Sequence, residues 1–263
     1  MKKDGHIHTE FCPHGTDDAI EKYVEKAIKL GYDEITFTEH MCYPEGFKDP
    51  SPANDSVLLS EDIDKYIERI KDLKEKYKKE IKINLGFEVD FIEGLEEKTK
   101  ELLNRYGEAI DDAILSVHIV KVGDTYRCID FSKEETQKLI EETGGIDKLY
   151  KRYYETLKLA VESDLGKYKP KRIGHFNLIR RFCKEFPYDY NEQREIIEDI
   201  MKIISEKGYE LDFNVAGLRK EGCGELYIDG FVREMADKYN VKMVLGSDSH
   251  TADTIDDYSE YIK

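Results

Sequence analysis

The chain has few cysteines and no long hydrophobic segment. Its five cysteines are an odd number, lie far apart among 263 residues and form no Cys-x-x-Cys pair, which argues against a disulfide framework and against a structural zinc site. No apolar run approaches the roughly 20 residues that span a bilayer. The segment 1–9 is short and polar and predicts a strand rather than a signal peptide. We therefore expect a cytoplasmic protein with no membrane partner.

Positive charge is also scarce. Lysine and arginine number 41 against 57 acidic residues, so the formal net charge is -16. Neutralising a nucleic acid backbone requires an excess of basic side chains, and we expect no nucleic acid partner. A small phosphorylated substrate remains compatible with this charge, because bound metal ions supply local positive charge. The sequence contains neither a Gly-rich nucleotide-binding loop nor a Gly-x-Ser-x-Gly elbow. The sequence does not indicate the oligomeric state.

Short apolar runs alternate with longer amphipathic ones along the chain. Seven apolar runs predict β-strands at 5–8, 34–38, 81–88, 113–118, 172–175, 210–214 and 241–246. Amphipathic spacing predicts helices at 20–28, 63–77, 147–163, 196–204 and 228–239. Gly31 is a plausible end signal for the first helix, and Ser60 is a plausible N-cap for the second.

This alternation predicts parallel strands joined by right-handed crossovers. We expect an α/β fold with one closed or nearly closed barrel of seven strands, which forms a single domain over residues 1–263. An open doubly wound sheet has the same sequence pattern. No linker divides the chain, but the segment 43–56 contains Pro44, Pro50 and Pro52 and reads as a loop. Because it follows a strand, we expect it to cover a site.

The seven histidines are concentrated at predicted strand ends. Six lie in or directly after a predicted strand, one lies in the loop after the first strand, and none lies on a predicted helix: His6, His8, His14, His40, His118, His175 and His250. Loops that follow strands form the active face of α/β barrels. This distribution predicts that the histidines share a site.

Two short motifs place possible metal ligands on one side of the backbone. His6 and His8 are two residues apart in a predicted strand, so their side chains point to the same face. Asp248 and His250 repeat this spacing after the last strand. A carboxylate oxygen combined with imidazole nitrogens suits Zn, Mn or Fe.

Glu88 is the most informative single residue. It ends an otherwise apolar strand, where an unpaired carboxylate would be costly, and a bridge between two cations would remove that cost. His40, His118 and His175 end three other strands. Together these residues offer more donors than one metal ion binds, which predicts two to three divalent ions.

Adjacent metal ions hold the oxygens of a phosphoryl group and activate water at neutral pH. Such a site hydrolyses phosphoesters, and the same ligands also suit hydrolysis of amides or lactones. Arginines near the possible ligands favour an anionic substrate, because arginine binds phosphate in a bidentate manner. The candidates are Arg180 and Arg181 after the fifth strand, Arg219 after the sixth, and Arg152 near the start of a helix.

The motifs together resemble the PHP (polymerase and histidinol phosphatase) superfamily. They are His6-Ile7-His8-Thr9, Phe37-Thr38-Glu39-His40, Gly86-Phe87-Glu88, Ser116-Val117-His118, Gly174-His175 and Gly246-Ser247-Asp248-Ser249-His250. The segments 11–18, 86–91, 116–118 and 214–219 are most similar to the monofunctional histidinol-phosphate phosphatases. The resemblance implies a distorted (β/α)7 barrel. It also implies hydrolysis of L-histidinol phosphate to L-histidinol and inorganic phosphate in histidine biosynthesis, with another small phosphate ester or a nucleotide as the alternative substrate.

The resemblance further implies a trinuclear centre, with catalytic roles for Glu88, Asp248 and His250. By analogy, the first metal ion is held by His6, His8, Glu88 and Asp248, and the second by Glu88, His118 and His175. The third is held by His40, His250 and one residue of the first loop. Asp17 is the preferred first-loop ligand, and His14 is either its competitor or a substrate-binding residue.

Overall fold

The computed structural model describes residues 1–262. The strands are β1 Lys3–Ile7, β2 Glu34–His40, β3 Lys82–Asp90, β4 Asp112–Ser116, β5 Ile119–Val122, β6 Thr125–Cys128, β7 Arg172–Ile173, β8 Glu210–Asn214 and β9 Met243–Gly246. The α-helices are α1 Ile20–Lys29, α2 Ile63–Tyr77, α3 Glu96–Tyr106, α4 Lys133–Thr143, α5 Ile146–Glu162, α6 Arg194–Glu206 and α7 Phe231–Lys238. Short 3₁₀ helices cover Gly107–Ala109, Leu178–Phe182, Tyr190–Gln193, Ala216–Arg219 and Ala252–Thr254.

Seven parallel strands form one sheet in the order β1-β2-β3-β4-β7-β8-β9. The first and last strands meet through a parallel bridge between Ile7 and Ser249. Two backbone hydrogen bonds flank the bridge, from His8 N to Ser249 O (3.0 Å) and from Asp248 N to His6 O (2.7 Å). The sheet is therefore a nearly closed barrel, which confirms the expected seven-stranded α/β barrel and rules out the open sheet.

The helices cover the barrel with their apolar faces. In α1, Ile20, Tyr23, Val24 and Ala27 are buried at helical spacing, and α6 buries a similar stripe. At roughly 1.5–3 kcal/mol for each fully buried large apolar side chain, these stripes hold the helices on the sheet. The chain then emerges from each strand at the same end of the barrel, which concentrates the segments after the strands there.

Several local features differ from the sequence prediction. The antiparallel hairpin β5–β6 was not predicted, and neither were α3 and α4. Ser60 is not the N-cap of α2, because the helix begins at Ile63 after Asp62, and no side-chain cap bond forms there. Gly31 does follow α1 and has a φ of 75°, which suits glycine at a helix end.

No helix within residues 1–262 is long and apolar enough to span a membrane.

Candidate metal centre

The residues selected from the sequence gather at the carboxyl end of the barrel. His6 lies near the end of β1, and Glu88 lies near the end of β3. The remaining residues of the cluster either end a strand or follow one: His8, His40, His118, His175, Asp248 and His250. Most of their side chains are buried, and His6, His8 and Glu88 are at most 2% exposed. The barrel geometry thus brings donors that are far apart in sequence into one polar cluster.

His6, His8 and Asp248 form the first group of donors, whose ligand atoms all lie within 4.8 Å of one another. His6 Nε2 lies 3.2 Å from His8 Nε2, and His8 Nε2 lies 3.3 Å from Asp248 Oδ1. Glu88 Oε2 lies 3.3 Å from His6 Nε2. One imidazole pair and two carboxylates therefore face a common point.

Glu88, His118 and His175 form the second group, also within 4.8 Å. Glu88 Oε1 lies 2.9 Å from His175 Nε2 and 3.5 Å from His118 Nε2. Its other oxygen, Oε2, faces His6 and lies 3.2 Å from His40 Nδ1. The two oxygens of Glu88 thus face different groups, as a bridging carboxylate requires.

The third group contains His8, Cys12, His40 and His250. His14 joins its edge, because His14 Nε2 lies 3.2 Å from His250 Nε2. Asp17, the preferred first-loop ligand, is exposed and belongs to none of the groups found within residues 1–262. The first loop turns through hydrogen bonds from Cys12 N to Thr9 O and from Gly15 N to Cys12 O. This turn brings His14, and not Asp17, against the cluster.

The cluster offers several nitrogen lone pairs to a metal ion. Imidazole nitrogens lie 3.2 Å apart at two places, between His6 and His8 and between His14 and His250, where lone pairs that face each other repel unless a proton or a cation lies beside them. His40 Nε2 and His175 Nδ1 are buried and have no hydrogen-bond partner among residues 1–262. Nitrogen and carboxylate donors in this combination match the preferences of Zn, Mn and Fe.

The electrostatics of the cluster also favour cations. Although burial opposes the shift, Asp212, Glu88 and Asp248 raise the pKa of His6 to about 10. Burial opposes ionisation of Glu88 too, yet the neighbouring histidines hold its pKa well below the ordinary value. Burial and the nearby His8 hold the pKa of His40 and of His250 well below the ordinary value. Glu88 therefore stays charged, while the rings of His40 and His250 stay neutral and keep a free lone pair.

Three further carboxylates hold the outer nitrogens of the histidines. Asp212 Oδ2 accepts from His6 Nδ1 at 2.7 Å, Asp90 Oδ1 accepts from His118 Nδ1 at 2.7 Å, and Glu39 Oε1 lies 3.3 Å from His8 Nδ1. A carboxylate in this position directs the proton to Nδ1 and leaves Nε2 free for a metal ion.

Asp212, Glu39 and Asp90 were not among the predicted site residues. Their signal was present, because each is a carboxylate within or at the end of an apolar strand, the feature that made Glu88 informative. Gly246 is needed beside Asp212, since a side chain at Gly246 would collide with the Asp212 carboxylate.

A pocket of about 380 Å³ opens above the cluster. Its floor includes the clustered residues His14, His40, Glu88, His118, His175, Asp248 and His250. Its walls include Tyr43, Ser51, Asp55, Ser56, Asp90, Cys128, Asp130, Phe131, Leu178, Arg181, Lys220 and Tyr227. The predicted loop 43–56 contributes four of these wall residues, so it does border the site.

Only one of the four predicted arginines lines the pocket. Arg181 does so, whereas Arg180 pairs with Glu225 and stacks on the Tyr190 ring at 4.9 Å. Lys220 lines the pocket as well and was not singled out from the sequence. The sequence gives little reason to select Lys220, because lysines are frequent in this chain and one that follows a strand does not by itself indicate a binding site.

Arg152 and Arg219 have other partners. Arg152 pairs with Glu93 and donates to Lys121 O at 2.8 Å, away from the pocket. Arg219 Nη2 donates to Ser247 O at 2.6 Å, in the turn that carries Asp248. Asp248 has a φ of 51°, which is uncommon for a residue other than glycine. Arg219 therefore supports the backbone of the site instead of lining the pocket.

Comparison with known proteins gives a consistent picture. Residues 4–216 match the family model of the PHP domain. A histidinol-phosphatase from Bacillus subtilis is 41% identical over 253 residues, which cover 96% of this chain and 94% of that protein. A probable histidinol-phosphatase from Deinococcus radiodurans is 28% identical over 247 residues, which cover 94% of this chain and 85% of that protein.

Solved structures agree. A structure from Listeria monocytogenes, of a protein assigned to the histidinol phosphatases, has 37% identity and a TM-score of 0.94, and the match covers 99% of this chain and 100% of that chain. A histidinol phosphate phosphatase from Lactococcus lactis, solved with zinc, L-histidinol and phosphate, has 25% identity and a TM-score of 0.71, and the match covers 95% and 87% of the two chains. These matches confirm the resemblance indicated by the motifs. The chain therefore belongs to the PHP domain family, in the branch that contains the histidinol-phosphatases.

Proposed function

We propose that this protein is a metal-dependent histidinol-phosphatase, which hydrolyses L-histidinol phosphate to L-histidinol and inorganic phosphate in histidine biosynthesis. The observation that carries the proposal is the buried His and carboxylate cluster beneath a pocket that also presents Arg181. The 41% identical relative from Bacillus subtilis and the structural neighbour with zinc, L-histidinol and phosphate support it. A biosynthetic role fits a cytoplasmic location.

We assign two to three divalent metal ions to the cluster, with Zn, Mn and Fe as the candidates. His6, His8, Glu88 and Asp248 form one site, and Glu88, His118 and His175 form the second. For the third site we assign His40 and His250 with His14, since His14 lies against His250 and Asp17 does not. Bound divalent ions supply positive charge opposite the phosphoryl oxygens and a reactive water at neutral pH.

The remaining chemistry belongs to side chains at the pocket. The Arg181 guanidinium stacks over the Phe182 ring at 4.5 Å and has no ion-pair partner within residues 1–262, so at the pocket it is available to bind the phosphoryl oxygens. Asp248 lies at the pocket floor, and Asn214 Nδ2 donates to its Oδ2 at 3.1 Å. From this position Asp248 orients the attacking water and accepts its proton. The negative charge of Glu88 balances the positive charge of the bound cations. His250 lies beside Asp248, and His250 Nδ1 is 3.5 Å from Asp248 Oδ1.

The outer carboxylates prepare the site before any substrate binds. Asp212, Glu39 and Asp90 keep the proton on the outer nitrogen of their histidine and hold each ring in place. Such preorganisation lowers the reorganisation that the reaction needs.

The test is a phosphate-release assay with protein reconstituted separately with Mn, Zn or Fe. We expect kcat/KM for L-histidinol phosphate to exceed the values for nucleotides and sugar phosphates by a large factor. A nucleotide or sugar phosphate that matches L-histidinol phosphate would contradict the proposed substrate and favour a general PHP-type phosphoesterase. No phosphate release with any metal would contradict the assignment as an enzyme.

A further inference from the structure

Charged side chains of opposite sign line the pocket above the metal-binding residues. Arg181 and Lys220 lie on the segments after β7 and β8, whereas Asp130 lies two residues after the end of the β5–β6 hairpin. No hydrogen bond or ion pair within residues 1–262 satisfies the side-chain charge of any of these three residues. Arg181 does stack on the Phe182 ring at 4.5 Å. Charged groups that converge on one pocket without an ionic or hydrogen-bonded partner indicate that a ligand provides one.

Asp130 and Lys220 act on different parts of the cluster. Lys220 interacts electrostatically with His250, and Asp130 interacts with His118. Arg181 and Asp130 both interact electrostatically with Tyr227, which also lines the pocket. The pocket thus has a positive region beside His250 and a negative region beside His118.

The other wall carboxylates are less suited to a ligand. Asp90 already accepts from His118 Nδ1 at 2.7 Å. Asp55 lies at the His250 end of the pocket, away from the region beside His118, because its backbone oxygen accepts from His14 Nδ1 at 2.8 Å and His14 Nε2 lies 3.2 Å from His250 Nε2. Asp130, in contrast, is followed by Phe131, whose side chain lines the pocket although the residue is 43% exposed. A carboxylate beside an exposed aromatic ring is a typical arrangement for binding organic cations.

We propose that Asp130 and Phe131 form a subsite for the organic cation of the substrate, separate from the phosphoryl end near Arg181 and Lys220. This inference rests on the proposed function and adds the residues that select the substrate. L-Histidinol phosphate carries an ammonium group and a flat imidazole ring. The Asp130 carboxylate binds the ammonium group, and the Phe131 ring packs against the imidazole.

The same subsite selects against other phosphate esters. A substrate that carries only negative charge leaves the Asp130 carboxylate unpaired and is repelled by it. Specificity of this kind depends on a repulsive contact as much as on an attractive one. The residue therefore has opposite effects on cationic and purely anionic substrates, which a kinetic comparison can separate.

The experiment compares L-histidinol phosphate with phenyl phosphate, which has an aromatic ring but no cation, at equal and measured metal content. In Asp130→Asn we expect kcat/KM for L-histidinol phosphate to fall about ten-fold to one hundred-fold, mostly through KM, because a charged hydrogen bond is lost. The value for phenyl phosphate should stay the same or rise. Asp124→Asn, at the exposed turn of the same hairpin, is the matched control and should change neither value.

An equal loss for both substrates, or no loss for L-histidinol phosphate, would overturn the inference. Phe131→Ala is a second variant that does not depend on the folding of Asp130→Asn, since its side chain is partly exposed. It should reduce the preference for L-histidinol phosphate, and an unchanged preference in Phe131→Ala would also count against the subsite. Failure of the proposed function looks different, because the unaltered protein would then show no preference for L-histidinol phosphate.

Discussion

His40 lies directly opposite Glu88 in the parallel register of β2 and β3, and His40 Nδ1 lies 3.2 Å from Glu88 Oε2. This register is the reason that Glu88 reaches the third donor group as well as the other two. A slip of one residue in either strand would turn the side chain of that strand to the other face of the sheet and separate the two groups. The metal centre thus depends on strand pairing as much as on the identity of its ligands.

Glu88→Gln should abolish most activity and reduce the metal content. The amide cannot supply the charge that balances cations in a site where Glu88 is 2% exposed. We expect kcat to fall by more than about one hundred-fold. Phosphate release and elemental analysis measure the two effects, and circular dichroism checks the fold. Glu97→Gln, on an exposed position of α3, is the control, and near-normal turnover of Glu88→Gln at saturating metal would show that Glu88 is only structural.

Asp212→Asn should weaken metal binding without removing a ligand. Without the Asp212 carboxylate, the His6 ring is no longer held in one orientation, and its proton is no longer directed to Nδ1. Changes of this kind lower metal affinity about ten-fold to one hundred-fold. Competition against a chromophoric chelator measures the dissociation constant. Asp199→Asn, on the exposed face of α6, should leave the constant unchanged. The same affinity in Asp212→Asn as in the unaltered protein would refute a positioning role.

Arg181→Ala should raise KM for L-histidinol phosphate more than it lowers kcat. A guanidinium that contacts the phosphoryl group in the ground state and in the transition state alike contributes uniform binding, which appears mainly in KM. Arg180→Ala is the matched variant, because Arg180 is adjacent in sequence but pairs with Glu225 outside the pocket. Steady-state kinetics on both variants decide the point. A larger KM in Arg180→Ala than in Arg181→Ala would reverse this assignment.

Tyr227→Phe should reduce activity without reducing stability. The Tyr227 hydroxyl is buried at the pocket wall and has no hydrogen-bond partner among residues 1–262, so its removal costs no protein contact. Burial raises the pKa of Tyr227 well above the ordinary value, so it stays a donor for a phosphoryl or ester oxygen. We expect kcat/KM to fall about ten-fold and Tm to hold or rise. A large fall in Tm would indicate a structural role instead.

Glu34→Gln should destabilise the protein at neutral pH but not at about pH 2. Although burial opposes the shift, Asn84, Lys3 and Lys82 lower the pKa of Glu34 to about 2. The unfolded value is about 4.3, so the stabilisation is complete above that pH and is lost as the pH falls from about 4.3 to 2. It amounts to as much as about 3 kcal/mol at neutral pH. Denaturant unfolding against pH measures the difference.

Glu101→Gln is the control for this titration, because Glu101 is exposed on α3. Its free energy of unfolding should follow that of the unaltered protein at every pH. If Glu34→Gln showed the same loss at low and at neutral pH, the effect would come from packing and not from the charge of Glu34.

The sequence by itself determined the architecture and the family. Apolar runs that alternate with amphipathic helices specify parallel strands, and all seven strands of the barrel were predicted from them. The hairpin β5–β6 was missed because the apolar residues of β5 follow the predicted strand 113–118 without a break, and β6 carries no apolar run. The histidines and Glu88 could be identified because they interrupt this pattern at the strand ends, where burial without a partner would be unfavourable.

Only the tertiary structure decided which polar residues share the site. The first loop turns so that His14, and not Asp17, meets His250, and sequence spacing does not report that turn. Arg180 and Arg181 are neighbours in sequence, yet only Arg181 lines the pocket. Asp212 likewise meets His6 across 206 positions of sequence. Local patterns specify strands and helices, whereas the direction of a loop side chain depends on long-range packing.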